Sequence, residues 1–589
     1  ENIENIIRAV FGLPQVFHIL VIEDGSPDGT AAIVRKLQQE FPEQLFMIER
    51  KGKLGLGTAY ITGFKWALEH AYEYIFEMDA DFSHNPNDLP RLYQACSEQG
   101  GEVYIPKGCF LFSTILLRDH VTIRLDAQAI LRGSPNPNDY PADPVTKKRA
   151  LIYASKVTNI AIVGKGTIDG NGNHRNFWHK NMKNGIQGGI RPFVFSLNES
   201  TDIKFKEFTV KNGAFWNIAM ELCEHITIDD IKILSRVVAN NDGIDLADCA
   251  NVRISNSYLD VGDDGICLKS HSPKGVKHIA ITNCIIKSES NCIKFGTASI
   301  GGFEDIVVSN CTFFDTRLSG IAIELVDGGV IDRITFNNIT MHNVNGSIFV
   351  KLGARNHAVT HTMTDGIIAK QTGILRNISF SDIIADGIGC WKEDTSAAFY
   401  KEAHDSRIGM NIIGQPNFPV ENIAFNNISL QFAGGGTIED SKKELTDNHP
   451  KGYPEYTNTG ITPAYGINCL HTRNISLNNI KLSFMKVDHR PAICFQDVEG
   501  SQINNLQAQL SDKASCFIRM SNVKDIFISN CNPHKIDVPY LIMKEEVKDI
   551  NLTGNNFKRV KTIYQLADSE NEKEINTAGN IKKNISKNY

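Results

Sequence analysis

A short phrase recurs along the chain from about residue 200, in which alternating apolar residues lead to a fixed polar turn residue. Copies include "NVRISNSYL", "HIAITNCII", "DIVVSNCTF" and "RITFNNITM". The turn residues are Asn256, Asn283, Asn310 and Asn338, so the repeat is 27 or 28 residues long. Alternation at a fixed period indicates one β-coil per repeat, stacked on like neighbours. A leucine-rich repeat would need the L-x-x-L-x-L phrase and a helix in each repeat. We therefore expect an all-β solenoid, a right-handed parallel β-helix, whose turn asparagines hydrogen-bond along the stack.

The first hundred residues follow a different pattern, in which helix and strand alternate. Amphipathic spacing in "ENIENIIRAVF", "AAIVRKLQQEF" and "TAYITGFKWALEHA" predicts helices, and the apolar runs "VFHILVIED", "LFMIER" and "YIFEMDAD" predict strands. This order predicts a parallel α/β sheet. Asp24, and Asp79 with Asp81, follow strand ends, where ligands of such sheets bind. Neighbouring carboxylates can hold a divalent cation against a nucleotide diphosphate, although the same phrases also form turns.

Together with "GKLGLGTAY" between them, these clusters resemble the family 2 glycosyltransferases, specifically the dolichol-phosphate (polyprenol-phosphate) mannosyltransferases. The resemblance implies a glycosyltransferase-A-type fold in which Asp24 contacts the nucleotide. It also implies that Asp79 and Asp81 bind Mg²⁺ or Mn²⁺ and the phosphates of GDP-mannose. The family's opening strand would lie before Glu1 and its acceptor-binding half after Gly101. We therefore expect a truncated fragment with a vestigial, inactive nucleotide site.

The two patterns meet within "ACSEQGGEVYIPKG", where a helix gives way to a strand without a linker. We interpret the chain as a fusion with its crossover near Gly100 to Val103, produced either by a genomic rearrangement or by an assembly artefact. The expected divisions are the transferase fragment at 1–100, the β-helix at 101–556 and a polar C-terminal tail at 557–589.

Composition excludes several classes of protein. The net charge is −6 without a basic block, so we expect no nucleic-acid partner. No apolar run reaches the ~18 residues of a membrane span. The 13 cysteines form no CxxC pair, which favours buried thiols over disulfides or a zinc site. The chain starts at Glu1 without a signal peptide, so we expect the native N-terminus to lie outside it and leave the localisation open. A monomer is expected.

Two acidic segments of the repeat region point to chemistry: "VANNDGIDLADC" and "YLDVGDDGICLKS". They place Asp242 and the pair Asp263 and Asp264 about one coil apart, so the three carboxylates should converge on one face. Such a group suits glycoside hydrolysis, in which one carboxyl stays protonated as the acid while another activates water. The alternative is that each Asp-Gly pair only turns a corner.

These segments, with "GTIDGNG" and "FWNI", resemble the family 28 glycoside hydrolases, the polygalacturonase and rhamnogalacturonan-hydrolase group. The resemblance covers roughly residues 101–556. It implies that Asp263 is the general acid, that Asp242 and Asp264 hold and deprotonate the attacking water, and that the anomeric configuration inverts. It further implies a polysaccharide or oligosaccharide substrate, no cofactor, and a periplasmic or secreted location.

Three motifs of that family are altered here. Asn241 replaces Thr in the Asn-Thr-Asp motif, Asn291 replaces the His of Gly-His-Gly, and Ala322 and Glu324 replace the Arg and Lys of Arg-Ile-Lys. Glu324 could accept hydroxyl groups of a neutral or deoxy sugar such as rhamnose.

Alternatively, Lys269 or Lys294 could rebuild the clamp for a uronate carboxylate, or each could be a solvated surface lysine. We retain Asn241, Lys269, Asn291, Lys294 and Glu324 as candidate substrate-binding residues.

Three other functions remain open at this point. The β-helix could bind polysaccharide without cleaving it, the first segment could act as a mannosyltransferase, or the site could work as a pectate-lyase-type centre with Ca²⁺ and a basic residue. Aromatic residues in long insertions, among them Tyr453 and Tyr456, could stack on sugars or pack their own loops.

Overall fold

A computed structural model describes residues 2–52, 55–72, 74–99, 101–144, 146–172, 177, 190–355, 371–392, 404–533, 536–567 and 569–582. The chain divides into two compact units, Glu1–Glu102 and Val103–Tyr589. Among the described helices, none combines the length and the apolar character that crossing a membrane requires.

The N-terminal unit is a small α/β fragment. Its elements are α1 (Ile3–Phe11), β1 (Ile19–Glu23), α2 (Thr30–Glu40), β2 (Leu45–Glu49), α3 (Leu56–Glu69), a 3-10 helix (Pro86–Asp88) and α4 (Leu89–Gln99). β1 and β2 pair in parallel, with Ile19 opposite Leu45. Apolar residues at helical spacing in α1 and α2 pack on β2 to form a small core that includes Ile7, Val34 and Leu37.

The predicted strand "YIFEMDAD" is wrong, because residues 74–79 form no strand in the described structure. The sheet of this unit contains only β1 and β2 among the described residues. Phe76 instead contacts Phe17, with ring centroids 6.1 Å apart. An apolar run can therefore be held by side-chain packing without joining a ladder.

The second unit is built almost entirely from parallel strands. Its strands are β3 (Gly101–Ile105), β4 (Gly108–Phe112), β5 (Ile115–Leu116), β6 (Val121–Leu125), β7 (Ala129–Gly133), β8 (Ala150–Ser155), β9 (Thr158–Gly164), β10 (Thr167–Asp169), β11 (Phe193–Asn198), β12 (Thr201–Lys206), β13 (Thr209–Lys211), β14 (Ile218–Glu221), β15 (Glu224–Asp229), β16 (Lys232–Ser235), β17 (Ile244–Ala247), β18 (Ala250–Ser255), β19 (Tyr258–Val261), β20 (Ile266–Ser270), β21 (Val276–Thr282), β22 (Ile285–Ser288), β23 (Ile293–Ser299), β24 (Gly302–Leu325), β25 (Val330–Leu352), β26 (Ile374–Ile388), β27 (Met410–Ile413), β28 (Val420–Gly434), β29 (Ile467–Lys486), β30 (Ile493–Ala508), β31 (Ile518–Ser529), β32 (Ile536–Thr553), β33 (Val560–Leu566) and β34 (Ile575–Asn576). The described helical elements with given bounds in this unit are α5 (Ile438–Ser441) and the 3-10 helices Pro137–Asp139, Tyr456–Thr459 and Ser569–Glu574.

Each coil contributes one strand to each of three parallel stacks, which confirms the predicted parallel β-helix. The stack that carries the site, called the first stack, runs through β5, β8, β11, β14, β17, β20 and β23. From β24 onward, long strands turn the corners and serve more than one stack.

Like residues lie on like residues inside the coils. A second stack includes β18, β21, β24 and β25. In it Ile254 pairs with Ile281, Ile281 with Val308, and Val308 with Phe336. These four side chains are fully buried, and each such burial contributes roughly 1.5–3 kcal/mol. The period-2 alternation of the repeat therefore sets the core directly.

The turn asparagines form the predicted ladder at two of its three steps, whereas Asn310 Nδ2 donates to Thr282 Oγ1 at 3.3 Å instead of to Asn283. Asn256, Asn283, Asn310 and Asn338 all have φ between 53° and 55°, a left-handed conformation that asparagine tolerates. Asn283 Nδ2 donates to Asn256 Oδ1 at 3.3 Å, and Asn338 Nδ2 donates to Asn310 Oδ1 at 2.8 Å. The described cysteines are free thiols, mostly buried in the coils, as predicted.

The coils continue beyond residue 556, in the segment predicted to be a polar tail. β33 and β34 both pair in parallel with β32. Phe557 and Val560 are buried at the start of this segment. A few apolar residues among many polar ones are thus enough to add a further partial coil.

Candidate active site

The three predicted catalytic aspartates lie just before two neighbouring strands of the first stack. β17 begins two residues after Asp242, and β20 begins two residues after Asp264. Ile244 pairs with Ile266, so Asp242 and Asp264 occupy the same position in successive coils.

The glycine after each aspartate is required by the stacking of the coils. A Cβ added to Gly243 would lie 2.4 Å from the carbonyl oxygen of Gly265. One added to Gly265 would lie 2.5 Å from the carbonyl oxygen of Cys292. No side chain fits at these distances. Packing of the coils therefore explains the glycine of each Asp-Gly pair. It does not explain the aspartate, for which we look to the chemistry of the site.

The structure brings the three carboxylates together. One side-chain oxygen from each of Asp242, Asp263 and Asp264 lies within 4.8 Å of the others. Asp242 and Asp264 are buried, whereas Asp263 is half-buried. Asp263 Oδ1 accepts a hydrogen bond of 3.0 Å from the backbone N–H of Asp264. Asp263 is thus the most exposed of the three aspartates.

Two lysines lie against this cluster, and neither is a solvated surface lysine. Lys269 Nζ is 3.5 Å from Asp242 Oδ2, ion-pairs with Asp245, and lies 4.3 Å from the ring centre of Trp216. Lys294 Nζ is 3.3 Å from Asp264 Oδ2, and its side chain is 2% exposed.

These charges separate the pKa values of the carboxyl groups. Burial raises the pKa of Asp242 well above its usual range, and the negative charges of Asp245 and Asp263 raise it further. Burial would also raise the pKa of Asp264, but Lys294 and Lys269 outweigh it and lower that pKa. The site therefore pairs a carboxyl group that retains its proton with one that stays ionised.

The predicted substrate-binding role of Asn291 is replaced by a positioning role. Its side chain is fully buried and donates to Asp264 Oδ1 at 2.9 Å, while its own oxygen accepts from the N–H of Ser319 at 3.0 Å. Asn291 holds the Asp264 carboxylate in place.

Asn241 is likewise buried and out of a ligand's reach. Its oxygen accepts from the N–H groups of Val237 and Val238, and its amide donates to the carbonyls of Gly213 and Phe215. All of these partners are backbone groups, so Asn241 fixes the turn that presents Asp242, and the prediction that it binds substrate is not supported.

Glu324, predicted to accept hydroxyl groups of a sugar, is buried. Its side chain is fully buried, its Oε2 lies 3.7 Å from Lys294 Nζ, and it accepts from Thr297 Oγ1 at 3.2 Å. Burial raises the pKa of Glu324 to about 8, against the opposing effect of Lys294. In this structure Glu324 supports Lys294 rather than offering an acceptor to a sugar.

Sequence reasoning assigned no role to Trp216, Asp245 or Glu455 beside the cluster, and it left Tyr453 open between stacking on sugars and packing its own loop. Trp216 lies one coil before Asp242, and Asp245 pairs with Lys269. Tyr453 and Glu455 reach Lys294 from a long insertion. Trp216 and Asp245 belong to the quoted phrases "FWNI" and "DGID", but no periodic signal connects the insertion to the site.

Three clustered carboxylates can also hold a metal ion, and they form the only group of three or more potential ligands among the described residues. The ammonium groups of Lys294 and Lys269, at 3.3 Å from Asp264 and 3.5 Å from Asp242, would repel a cation bound beside these two carboxyl groups. The donor set is therefore better matched to acid–base work than to a divalent ion.

The predicted transferase residues do not gather into a comparable cluster among the described residues. The guanidinium of Arg50 binds both carboxylate oxygens of Asp24. Asp79 and Asp81 are exposed, and Asp81 Oδ1 accepts from the N–H of Ser83 at 2.8 Å. Their roles in nucleotide and metal binding stay predictions.

The fold and the cluster define the second unit as a parallel β-helix with an acid–base site on one stack of strands. Residues 96–386 match the model of the family described as glycosyl hydrolases family 28, and residues 1–110 match glycosyl transferase family 2. The chain thus carries a match to each of the two families in the predicted order. The two matches overlap in the segment where the sequence pattern changes.

Individual relatives agree with this division. A probable polygalacturonase of Vitis vinifera is 25% identical over 361 residues, which cover 57% of this chain and 68% of that protein. The polyprenol monophosphomannose synthase of Mycolicibacterium smegmatis is 43% identical over 113 residues, 18% of this chain and 42% of that protein. The chain therefore spans less than half of this transferase relative.

Among solved structures, the family 28 exopolygalacturonase of Yersinia enterocolitica is similar with a TM-score of 0.50. It is 19% identical, and the match covers 70% of this chain and 74% of that one. This likeness supports the fold.

Proposed function

We propose that the β-helix is an inverting glycoside hydrolase that cleaves a pectic polysaccharide. The observation that carries the proposal is the convergence of Asp242, Asp263 and Asp264 within 4.8 Å on one stack. The family 28 match and the polygalacturonase relative support a pectic substrate.

The roles of the three residues in a single displacement by water follow the resemblance to family 28. Asp263, which is half-buried, protonates the oxygen of the leaving sugar. Asp264, kept ionised by Lys294 and Lys269, takes a proton from the attacking water. Asp242, whose pKa is raised, holds that water beside Asp264. The glycosidic bond breaks as the new carbon–oxygen bond forms, so no covalent intermediate is needed.

The stereochemical outcome rests on the resemblance rather than on the spacing. Carboxyl groups of inverting hydrolases usually lie about 6.5–9.5 Å apart, which is wider than the cluster here. Proton NMR of the first-formed product tests inversion directly, because the initial anomer appears before mutarotation.

A lyase mechanism fits the site less well. Lyases need a basic side chain, and the nearby candidates are Lys269 and Lys294. Burial lowers the pKa of both, but the adjacent carboxylates outweigh it and raise each pKa well above the usual value. Both lysines therefore stay protonated and cannot abstract a proton.

The test is Asp263→Asn, which keeps the shape of the side chain but cannot deliver a proton. We expect the release of reducing ends from pectic oligosaccharides to fall by on the order of 10²–10⁴-fold. The matched control is Asp382→Asn, an Asp-to-Asn change at a left-handed turn of the same unit, where asparagine is equally accommodated.

Wild-type rates in Asp263→Asn would overturn the assignment. Ultraviolet absorbance from an unsaturated product, or loss of activity with EDTA, would favour the lyase. Binding of the oligosaccharides without any cleavage would favour a binding module.

A further inference from the structure

The ammonium group of Lys294 is surrounded by acceptors from three parts of the chain. Its Nζ lies 3.3 Å from Asp264 Oδ2, 3.7 Å from Glu324 Oε2 and 3.5 Å from Glu455 Oε1, and it donates to the hydroxyl of Tyr453 at 3.1 Å. A clamp for a uronate would need a cation free to meet the sugar carboxylate. Lys294 is instead already matched by protein carboxylates.

Glu455 is delivered to this place by a well-anchored loop, residues 447–460. Lys351 Nζ donates to Asp447 Oδ1 at 2.6 Å and to the carbonyl of His449 at 3.0 Å, which fixes one end. Tyr456 fixes the other end, because its side chain is buried in an apolar cluster. The cluster consists of Leu318, Phe349, Ile408, Ile413, Leu445, Tyr456 and Leu470. The position of Glu455 is therefore built into the fold.

Glu455 is only partly covered, and one of its oxygens is a buried acceptor without a partner in the described part of the chain. Its side chain is 19% exposed. Among the described residues, Glu455 Oε2 has no hydrogen-bond partner although it is buried. A sugar hydroxyl that donates to this oxygen would satisfy it, whereas a second carboxylate at this place would be repelled.

The charge balance of the site points the same way. Six carboxyl groups gather around two ammonium groups: Asp242, Asp245, Asp263, Asp264, Glu324 and Glu455 against Lys269 and Lys294. Even with Asp242, Glu324 and the proposed acid Asp263 protonated, Asp245, Asp264 and Glu455 outnumber the two ammonium groups. Burial raises the pKa of Glu455, and the charges of Lys294 and Arg317 oppose that rise. An anionic sugar ring would add to this excess.

From this geometry we infer that Glu455 is a specificity-determining residue and that the subsite beside Lys294 takes an uncharged sugar unit, either a neutral sugar or an esterified uronate. The inference rests on the proposed function for the kind of ligand, a pectic oligosaccharide. Glu455 accepts a hydroxyl of that unit and excludes a free carboxylate.

Binding to two oligogalacturonides of equal length, one with free carboxylates and one fully methyl-esterified, tests the inference by calorimetry. The measurement uses the Asp263→Asn variant, so that turnover does not disturb it. We expect the esterified ligand to bind more tightly, and Glu455→Gln to shift the ratio of the two Kd values toward the free acid by on the order of tenfold or more.

Two matched variants separate charge from shape. Glu455→Asp keeps the charge and should keep most of the preference. Glu439→Gln removes a carboxylate that is 78% exposed on the same long insertion and should leave the ratio unchanged.

An unchanged ratio in Glu455→Gln would overturn the inference but leave the hydrolase standing. Absence of binding of either ligand, together with absence of hydrolysis by the wild type, would overturn both.

Discussion

Replacing Asn291 by alanine should change the pH dependence of the reaction more than it changes the fold. The variant loses the 2.9 Å hydrogen bond to Asp264 Oδ1 and the 3.0 Å bond from the N–H of Ser319. A hydrogen bond to a charged group contributes about 1.5–3 kcal/mol, and an unsatisfied buried N–H costs about 1–3 kcal/mol. The backbone N–H of residue 291 still donates to Asp264 at 3.1 Å, so part of the stabilisation of the carboxylate remains.

The sign of the shift follows from which form of Asp264 is stabilised. The amide of Asn291 favours the ionised form, so its loss raises the pKa of Asp264. Since Asp264 must be ionised to accept a proton from water, the acid limb of the kcat profile should move to higher pH, and Tm should fall by about a few degrees.

The assay is the initial rate of reducing-end release across pH, with melting followed by circular dichroism. The matched control is Asn345→Ala, which removes a buried amide that donates to the carbonyl of Arg317 at 2.9 Å. It should lower Tm without moving the acid limb. An acid limb of Asn291→Ala that coincides with that of the wild type would refute the positioning role.

Two further predictions concern Glu324 and the N-terminal unit. Burial raises the pKa of Glu324 to about 8, so its contribution to stability is full below the ordinary value near ~4.3 and is lost as pH rises through about 8. Glu324→Gln does not titrate, so its Tm relative to the wild type should rise between those pH values in a calorimetric series; a constant difference would contradict this. Because Arg50 occupies both oxygens of Asp24, we expect no turnover of GDP-mannose on polyprenyl phosphate with Mg²⁺ or Mn²⁺, and radiolabelled transfer by the purified chain would show otherwise.

The parts of the fold that repeat were predictable from the sequence. The alternation before Asn256, Asn283 and Asn310 sets both the core ladders and the left-handed turns, because every coil solves the same packing problem. The spacing of Asp242 and Asp264 was readable for the same reason, since one coil of separation means adjacency.

The parts of the site that do not repeat could not be predicted from the sequence. Glu455 approaches Lys294 across 161 positions of chain, through an insertion whose path no period describes. The burial of Asn241 and Asn291 could not be predicted either. In a sequence, an asparagine that hydrogen-bonds to the backbone or to a carboxylate cannot be told from one that binds a ligand. The chain at 74–79 shows the same limit, since apolarity predicts burial but not a ladder partner.

The pairing of Ile244 with Ile266, and of Ile266 with Ile293, also constrains how such a protein can diverge. A deletion of one residue within this interval would exchange the inner and outer faces of the strand that follows, and the reactive groups would turn into the core. The corners are free of this restriction, as the pairing of Phe349 with Asn411, 62 positions later, demonstrates. An insertion at a corner can therefore lengthen the loops beside the site without changing the register of the strands that carry Asp242 and Asp264.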